Sequence, residues 1–308
     1  MVRDLIRLAR PGHWIKNVLV LLPVVTASRV SDASAWGRAV LAGAAFCLAA
    51  SAVYVLNDIK DCRQDRVHPR KKDRPIASGA IDARTASVEA AVFFVIALVV
   101  AMVVGPLVMM AIIAYLALQT LYTFFLSGKM LLDVICIALG FVLRAVAGAV
   151  AIEAWPSPWL FICTFTLCLF MGFCKRGNEL ATLGDAEEAG KHRPTLRGYT
   201  PELLTHLITL SAAIAVVAFL LYATSRSTVD GKTLYPLKAH YPYLIYTLPV
   251  VIYGVCRFAM LSMRGAYADP VELILRDRPF ELTVGLWVGM AVAIVHAGQI
   301  EQFLQGLR

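Results

Sequence analysis

The chain has 308 residues, of which 59% are apolar and only 16% are charged, and it carries a net charge of +8. A soluble globular domain averages about 45–50% apolar and about 25% charged residues. This composition therefore excludes the ordinary soluble, disordered, fibrous and disulfide-scaffold classes. The apolar residues lie in long blocks, and about 20 of them suffice for a helix that crosses a bilayer. The sequence predicts an all-α membrane protein.

Nine blocks are predicted to be transmembrane helices, and the pair Gly105-Pro106 predicts a tight hairpin between the third and the fourth. In chain order the blocks are His13–Ser28, Trp36–Asn57, Thr85–Val104, Pro106–Leu126, Met130–Ile152, Pro158–Cys174, Pro201–Tyr222, Tyr243–Met263 and Pro279–Gly298. We expect them to form a single transmembrane domain that covers residues 1–308.

The basic residues are shared unequally between the two sets of alternate loops. With nine spans, 21 of the 29 basic residues lie in one set and six in the other, while Arg144 and Arg257 lie inside spans. Because cytoplasmic loops carry the excess of Lys and Arg, the chain is predicted to have a cytoplasmic N-terminus and an external C-terminus. Nucleic acid is not needed to explain the charge. Most acidic residues share the cytoplasmic face, which is typical of a site for metal and phosphate.

The second predicted helix ends in an acidic motif, NDIKDCRQD at residues 57–65. If the helix continues through it, Asn57, Asp61 and Asp65 lie on one stripe and Asp58 lies beside them. Carboxylates this close repel each other unless a cation lies between them. Magnesium binds one or two carboxylates together with substrate phosphates, so the motif predicts a magnesium site. The alternative is a solvated acidic helix end.

A basic segment follows the acidic motif. Residues 68–79 read HPRKKDRPIASG, and Arg66 precedes them. Arginine and lysine side chains bind diphosphate oxygens. Arg74 and its basic neighbours are therefore candidates for neutralising a departing diphosphate.

The pattern NDxxDxxxD at the end of the second of nine helices, followed by RPxxSG, resembles the UbiA superfamily of intramembrane prenyltransferases. The resemblance covers nearly the whole chain. It implies an all-helical bundle around a lateral, lipid-open cavity that is capped by cytoplasmic loops. It also implies that Asn57, Asp58, Asp61 and Asp65 hold magnesium and a diphosphate.

The chain departs from this superfamily after the sixth predicted helix. A typical member has a second DxxxD motif there, whereas residues 174–180 of this chain read CKRGNEL. One acid, Glu179, remains beside Lys175 and Arg176. Two metal clusters suit a prenyl diphosphate donor. A single metal cluster with a basic patch suits two phosphorylated substrates instead.

Further segments resemble the polyprenyl-phosphate (decaprenyl-phosphate) phosphoribosyltransferase branch: RPGHWIKN at 10–17, GFVLRAVAG at 140–148, DPVE at 269–272 and LRDR at 275–278. This resemblance implies transfer of phosphoribose from phosphoribosyl pyrophosphate to a polyprenyl phosphate, giving a lipid-linked arabinan precursor for the cell wall. The implied catalytic residues are Asp58, Asp61, Asp65 and Arg74. The implied substrate-binding residues are Lys16, Asn17, Arg66, Lys129, Arg144, Lys175, Arg176 and Glu179.

Several of these residues have a structural alternative. Arg144 lies inside the fifth predicted span, where a charge is costly and faces a cavity or a partner, so it either binds a phosphate or forms a structural pair. Lys16 and Lys129 either contact a phosphate or anchor helices at the membrane interface.

Two other functions stay open at this point. A prenyltransferase acting on an aromatic or porphyrin acceptor needs the second aspartate motif. A lipid transporter or flippase needs charges deep in several spans, whereas only Asp133, Arg144 and Arg257 lie well inside the predicted ones.

Overall fold

The computed structural model describes residues 2–27, 29–67, 71–183, 194–224, 242–265 and 270–295, and their regular structure is entirely helical. The α-helices are α1 (Val2–Ala9), α2 (Leu22–Thr26), α3 (Ala33–Val67), α4 (Ala83–Val104), α5 (Pro106–Leu121), α6 (Leu132–Ala151), α7 (Pro158–Leu183), α8 (Pro201–Thr224), α9 (Leu248–Met263), α10 (Pro270–Arg276) and α11 (Arg278–Val295). Pro11–Val20, Pro194–Gly198 and Pro242–Thr247 are 3-10 helices, and Tyr122–Leu126 is a π-helix. The predicted all-α class is confirmed.

Seven segments among the described residues are long and apolar enough to cross a membrane. They are Ala33–Val67, Ala83–Val104, Pro106–Leu126, Leu132–Ala151, Pro158–Thr182, Pro201–Thr224 and Tyr243–Met263. The protein is therefore a multi-pass membrane protein.

The predicted count of nine spans is not confirmed. The first predicted span is divided between the 3-10 helix Pro11–Val20 and the five residues of α2. Pro23 lacks the backbone N–H that a continuous α-helix would use at this point, which accounts for the division between Val20 and Leu22. Of the ninth predicted span, α11 covers the part up to Val295, and residues 296–298 lie outside the described residues.

Contacts between residues divide the chain into two compact units. Unit 1 comprises residues 1–25, 29–124 and 143–156, and unit 2 comprises residues 26–28, 125–142 and 157–308. That residues 1–308 act as a single domain stays a prediction.

The core of unit 1 is built from small residues on α3 and α4. Ala42, Ala45 and Ala49 of α3 pack in one buried cluster with Ala97 and Ala101 of α4. Small side chains let two helix backbones approach closely, which stabilises helix pairs in membranes. The pairing holds α3 against α4 along much of its length.

Helix α3 is much longer than a membrane requires. Its 35 residues reach about 52 Å at a rise of 1.5 Å per residue, whereas the hydrocarbon core of a bilayer is about 30 Å thick. The helix ends only at Val67, so it continues through the acidic motif at residues 57–65. The condition on which the predicted stripe of acids depended is therefore met.

A second buried cluster in unit 1, which we call the cap cluster, surrounds the last turns of α3. Its members are Leu8, Val55, Ile76, Ile81, Ala86 and Ala90. They come from α1, α3, the loop before α4 and α4 itself. The apolar cluster therefore fixes both α1 and this loop against α3.

The core of unit 2 is aromatic rather than alanine-rich. Phe170, Phe258 and Phe280 lie in one cluster, with ring centroids of neighbouring pairs 5.6 and 5.7 Å apart. Helices α6 and α7 approach closely at Gly172, where an added Cβ would lie 2.4 Å from a methyl carbon of Val134. Only glycine fits between the helices there.

Candidate active site

Two aspartates of the acidic motif converge on one arginine. Nη1 of Arg74 donates to Oδ1 of Asp58 at 3.0 Å and to Oδ2 of Asp65 at 2.6 Å. Both aspartates are only 3% exposed, while the Arg74 side chain is 27% exposed. Asp58 and Asp65 are seven residues apart, close to two helical turns. Asp58, rather than Asn57, therefore shares the inward face of α3 with Asp65.

The loop that carries Arg74 is held by its own turns and by the cap cluster. The N–H of Ser78 donates to the Arg74 carbonyl at 2.9 Å, and the N–H of Ile81 donates to the Pro75 carbonyl at 3.0 Å. Ile76 and Ile81 are each 3% exposed. Arg74 therefore extends from a firmly packed loop rather than from a freely moving one.

A second arginine, Arg10, also binds Asp58. Nη2 of Arg10 donates to the same oxygen, Oδ1, that Arg74 contacts. The Arg10 guanidinium lies over the Tyr54 ring, 5.3 Å from its centroid. Asp58 is thus a buried carboxylate held by two cations.

The remaining residues of the motif have different surroundings. Asp61 is half-buried and forms no hydrogen bond or ion pair with any described residue. Oδ1 of Asn57 accepts a hydrogen bond of 2.5 Å from the Thr123 hydroxyl, and Nζ of Lys60 donates to the Thr123 carbonyl. Thr123 belongs to the π-helix, a rare form that is frequent at functional sites.

Deeper in unit 1, the structure brings together two of the predicted substrate-binding residues. Nε of Arg144 donates to Oδ1 of Asn17 at 2.6 Å, and its Nη2 donates to the Tyr115 hydroxyl at 3.0 Å. The guanidinium also lies 4.6 Å from the centroid of the Tyr115 ring. Arg144 is only 5% exposed, so it is a buried cation stabilised by polar and aromatic partners.

Unit 2 contains a separate network around Arg176. Its Nε lies 3.0 Å from Oδ2 of Asp133, and its Nη1 bonds to Glu179. The Tyr199 hydroxyl donates to Oδ1 of Asp133 at 3.1 Å and accepts from the N–H of Leu131 at 2.9 Å. Burial raises the pKa of Tyr199 to about 12, so its hydroxyl keeps its proton at neutral pH.

The other predicted substrate-binding residues lie nearer the surface. Lys129 and Arg66 are exposed, and Lys16 and Lys175 are half-buried. Lys129 precedes α6 rather than lying on it, and Asp133, four residues later, pairs with Arg176. The roles of these side chains in substrate binding stay predictions.

The donor set of the acidic motif fits a hard cation. Two buried carboxylates already converge on a cationic group, and Asp61 lies between them in the sequence of α3. Oxygen ligands of this kind suit magnesium. Within the described ranges, no three His, Cys, Asp or Glu side chains lie close enough to hold a metal ion. Arg74 lies where two of the carboxylates, Asp58 and Asp65, meet.

The fold and the site define the class of protein. Residues 18–264 match the family model described as the UbiA prenyltransferase family, and the chain belongs to this family. It is 34% identical to decaprenyl-phosphate phosphoribosyltransferase of Mycolicibacterium smegmatis over 302 residues, which cover 96% of this chain and 93% of the relative. It is 31% identical to the enzyme of the same name from Mycobacterium tuberculosis, over 97% of this chain and 96% of that one.

Solved structures share the fold. A UbiA homolog from Archaeoglobus fulgidus bound to GPP and Mg2+ matches with a TM-score of 0.68 at 19% identity, over 95% of this chain and 99% of that chain. The predicted UbiA-like architecture is thereby confirmed.

Some contacts of the site were not predicted. Arg10, Thr123, Tyr115 and Tyr199 each bind a predicted or acidic residue, yet none was a candidate. Each lies far from its partner in the chain, with between 29 and 66 residues separating the two. The local signal for Arg10 was the segment RPGHWIKN at residues 10–17, in which Arg10 precedes a proline and therefore avoids the α-helical conformation.

Proposed function

We propose that the protein transfers the 5-phosphoribosyl group of phosphoribosyl pyrophosphate to a polyprenyl phosphate and releases diphosphate. The observation that carries the proposal is the convergence of Asp58 and Asp65 on Arg74. It is supported by the relatives, which are named decaprenyl-phosphate phosphoribosyltransferase. The absence of the second aspartate motif at residues 174–180 favours this reaction over prenyl transfer.

In this proposal the acidic motif binds the diphosphate of the donor. Asp58, Asp61 and Asp65, assisted by Asn57, would hold magnesium, which neutralises negative charge on the leaving group when bound. Arg74 then donates hydrogen bonds to the departing diphosphate. Cations that are already in place where charge develops lower the barrier of the reaction.

The acceptor needs no strong general base. A phosphate monoester is already ionised at neutral pH and acts as the nucleophile itself. In-line attack on the anomeric carbon of ribose predicts inversion there. Lys16, Asn17, Arg66, Lys129, Arg144, Lys175, Arg176 and Glu179 are proposed to bind the ribose 5-phosphate and the lipid phosphate.

Location and product complete the proposal. The distribution of basic residues supports an active site that faces the cytoplasm of a bacterial inner membrane. The polyprenyl chain then lies in the lipid-open part of the bundle. The product, a lipid-linked phosphoribose, is proposed to supply a cell-wall polysaccharide.

The test is transfer of label into lipid. Membranes containing the protein are incubated with magnesium, a polyprenyl phosphate and phosphoribosyl pyrophosphate labelled in the ribose, and the organic phase is counted. Wild-type protein is expected to give lipid label, and Asp61→Asn is expected to lose at least about a hundredfold in rate, as when a group that stabilises developing charge is removed. Asp73→Asn, an exposed acid in the next loop, is the matched control.

The outcomes separate the candidate functions. No lipid label with wild-type protein contradicts the proposal. Label transferred instead from a prenyl diphosphate to an aromatic acceptor identifies an ordinary prenyltransferase. Full activity of Asp61→Asn removes that residue from the metal site while leaving the reaction intact.

A further inference from the structure

Asp58 binds two arginines through one carboxylate oxygen. Its Oδ1 accepts from both Arg10 and Arg74, while Arg74 is shared with Asp65. A buried carboxylate is costly without a counter-charge. The two arginines provide that counter-charge at the oxygens which the proposed function assigns to a metal ion.

A metal ion alone binds this site at a disadvantage. To coordinate Oδ1 of Asp58, the metal ion displaces two guanidinium groups. These groups then lie beside a dication, and the carboxylate oxygen that they bound is occupied by the metal ion. The positive charges of the metal ion and of the neighbouring guanidinium groups repel each other. A metal ion that arrives with a diphosphate avoids this cost, because the displaced guanidinium groups donate to phosphate oxygens instead.

We infer that Arg10 is a further donor-binding residue, which occupies Asp58 until a metal–diphosphate complex arrives and then transfers its hydrogen bonds to the diphosphate. Arg10 thus makes the binding of metal and diphosphate interdependent. The inference rests on the proposed function for the identity of the donor, and it names a residue outside the acidic motif and its basic loop.

The backbone at Arg10 is built for this contact. Arg10 has φ 52° and ψ 58°, a left-handed conformation that is uncommon for a residue with a side chain. It connects α1, anchored by the fully buried Leu8, to the 3-10 helix that starts at Pro11. Strained backbone persists where the surrounding structure enforces it, and such positions cluster at functional sites.

The side chain keeps enough freedom to change partners. It is 21% exposed, against 3% for Asp58. Its guanidinium lies over the face of Tyr54, and the ring attracts the positive charge through a cation–π interaction. Tyr54 and Asp58 are one helical turn apart on α3, so both guide the guanidinium to the inner end of the acidic motif.

The test compares two affinities in the purified full-length protein. Manganese serves as the probe for the metal, and its free concentration is followed by electron paramagnetic resonance. The manganese complex of methylenediphosphonate serves as the probe for the donor, followed by the shift in thermal midpoint. The variants are Arg10→Gln, Arg10→Lys and the control Arg7→Gln, which removes the same charge from an exposed residue of α1.

We expect Arg10→Gln to change the two affinities in opposite directions. Arg10→Gln binds manganese alone about fivefold more tightly and the manganese–methylenediphosphonate complex about tenfold more weakly, within the range of coupling between two ligands. Arg10→Lys lies between Arg10→Gln and wild type in both affinities. Arg7→Gln changes neither by more than about twofold, because its charge is exposed and screened.

Other results overturn the inference. If Arg10→Gln weakens both affinities, Arg10 has only a structural role. If Arg10→Gln and Arg7→Gln change the affinities equally, the effect is one of overall charge. If wild-type protein binds manganese but Arg10→Gln leaves both affinities unchanged, the inference about Arg10 is wrong and the proposed function is unaffected. If wild-type protein binds neither probe, the metal site of the proposed function is contradicted as well.

Discussion

The two units each contain an arginine held between carboxylates, yet the two arrangements differ in burial. In unit 1 the arginines that bind Asp58, Arg10 and Arg74, have side chains 21% and 27% exposed. In unit 2 the side chain of Arg176 is 1% exposed, and that of its partner Asp133 is 0% exposed. The same pairing of charges is therefore accessible to solvent in one unit and enclosed in the other.

This difference predicts different roles. A cation that still reaches water can leave its carboxylate for an incoming phosphate at moderate cost. A cation enclosed with its carboxylate cannot, because separating a buried pair leaves a charge without compensation. We therefore expect the unit 1 arginines to exchange partners during binding, and Arg176 to hold α6 and α7 of unit 2 in place in addition to any role in substrate binding.

The largest expected effect comes from breaking the enclosed pair. Asp133→Asn is expected to lower the stability of the protein by about 3 kcal/mol, the lower end of the cost of breaking a buried ion pair, because Arg176 keeps its second carboxylate, Glu179. The measurement is the apparent thermal midpoint in a fixed detergent and at a fixed scan rate, since membrane proteins rarely unfold reversibly.

The matched control for this prediction is Asp65→Asn in unit 1. Asp65 is equally buried, but its partner Arg74 is partly exposed, so we expect a loss of about 1 kcal/mol, near the upper end for accessible pairs. Equal losses for the two variants would remove the contrast between the units.

A smaller effect is expected from the hydroxyl that completes the unit 2 network. Tyr199→Phe removes the donor to Asp133 and leaves the partly buried N–H of Leu131 without its acceptor, at a cost of about 1–3 kcal/mol. Since burial raises the pKa of Tyr199 to about 12, the difference from wild type should stay constant between about pH 6 and pH 9, below the ordinary tyrosine pKa of about 10.

The thermal midpoint measured across this pH range tests the Tyr199 prediction. Tyr246→Phe, which changes a 71% exposed tyrosine in the 3-10 helix Pro242–Thr247, serves as its control. A pH-dependent difference, or no difference from the control, would exclude Tyr199 as a fixed donor to Asp133.

The smallest effect is expected at the ion pair of Arg257 and Asp277, whose arginine side chain is as exposed as that of Arg10, at 21%. Arg257 donates to both carboxylate oxygens of Asp277, at 2.6 and 2.9 Å, and these bonds lower the pKa of Asp277. A lowered pKa in the folded state means that the stabilisation is complete above the ordinary value of 3.8 and is lost as the pH falls through the folded value.

Midpoints measured in steps from about pH 6 to pH 3, a range that includes the ordinary pKa of aspartate, test this prediction. Wild type should lose more stability at the acidic end than Asp277→Asn does, because the variant has no carboxylate to protonate. Parallel curves for the two proteins would show that the Arg257 bond contributes no pH dependence.

The sequence predicted the helical class and the acidic motif because both are local. Apolar blocks require only length and composition, and Asn57, Asp58, Asp61 and Asp65 are neighbours on one helix whatever the rest of the chain does. Helix ends depend on more than hydropathy. The first predicted span is divided because its first part is a 3-10 helix and Pro23 interrupts the second part. A hydropathy plot shows neither feature.

The partners of the charged residues lay beyond sequence reasoning. Arg74 was predicted, since it follows the motif closely, whereas Arg10 reaches Asp58 across 48 residues and Arg176 reaches Asp133 across 43. Whether an arginine is enclosed depends on how the cap cluster of unit 1 or the aromatic core of unit 2 packs around it. No spacing of residues in the chain encodes this packing. The positive φ of Arg10 is likewise a product of tertiary structure.

The π-helix at Tyr122–Leu126 has a consequence for how the family can diverge. A π-turn corresponds to an α-helix that has gained one residue. Loss of that residue would rotate the part of the helix after it by about 100° relative to the part before it. The Thr123 hydroxyl would then turn away from Asn57 without any change in the acidic motif. Relatives with a one-residue gap at this point should therefore differ in how their first motif residue is anchored, even where all three aspartates are identical.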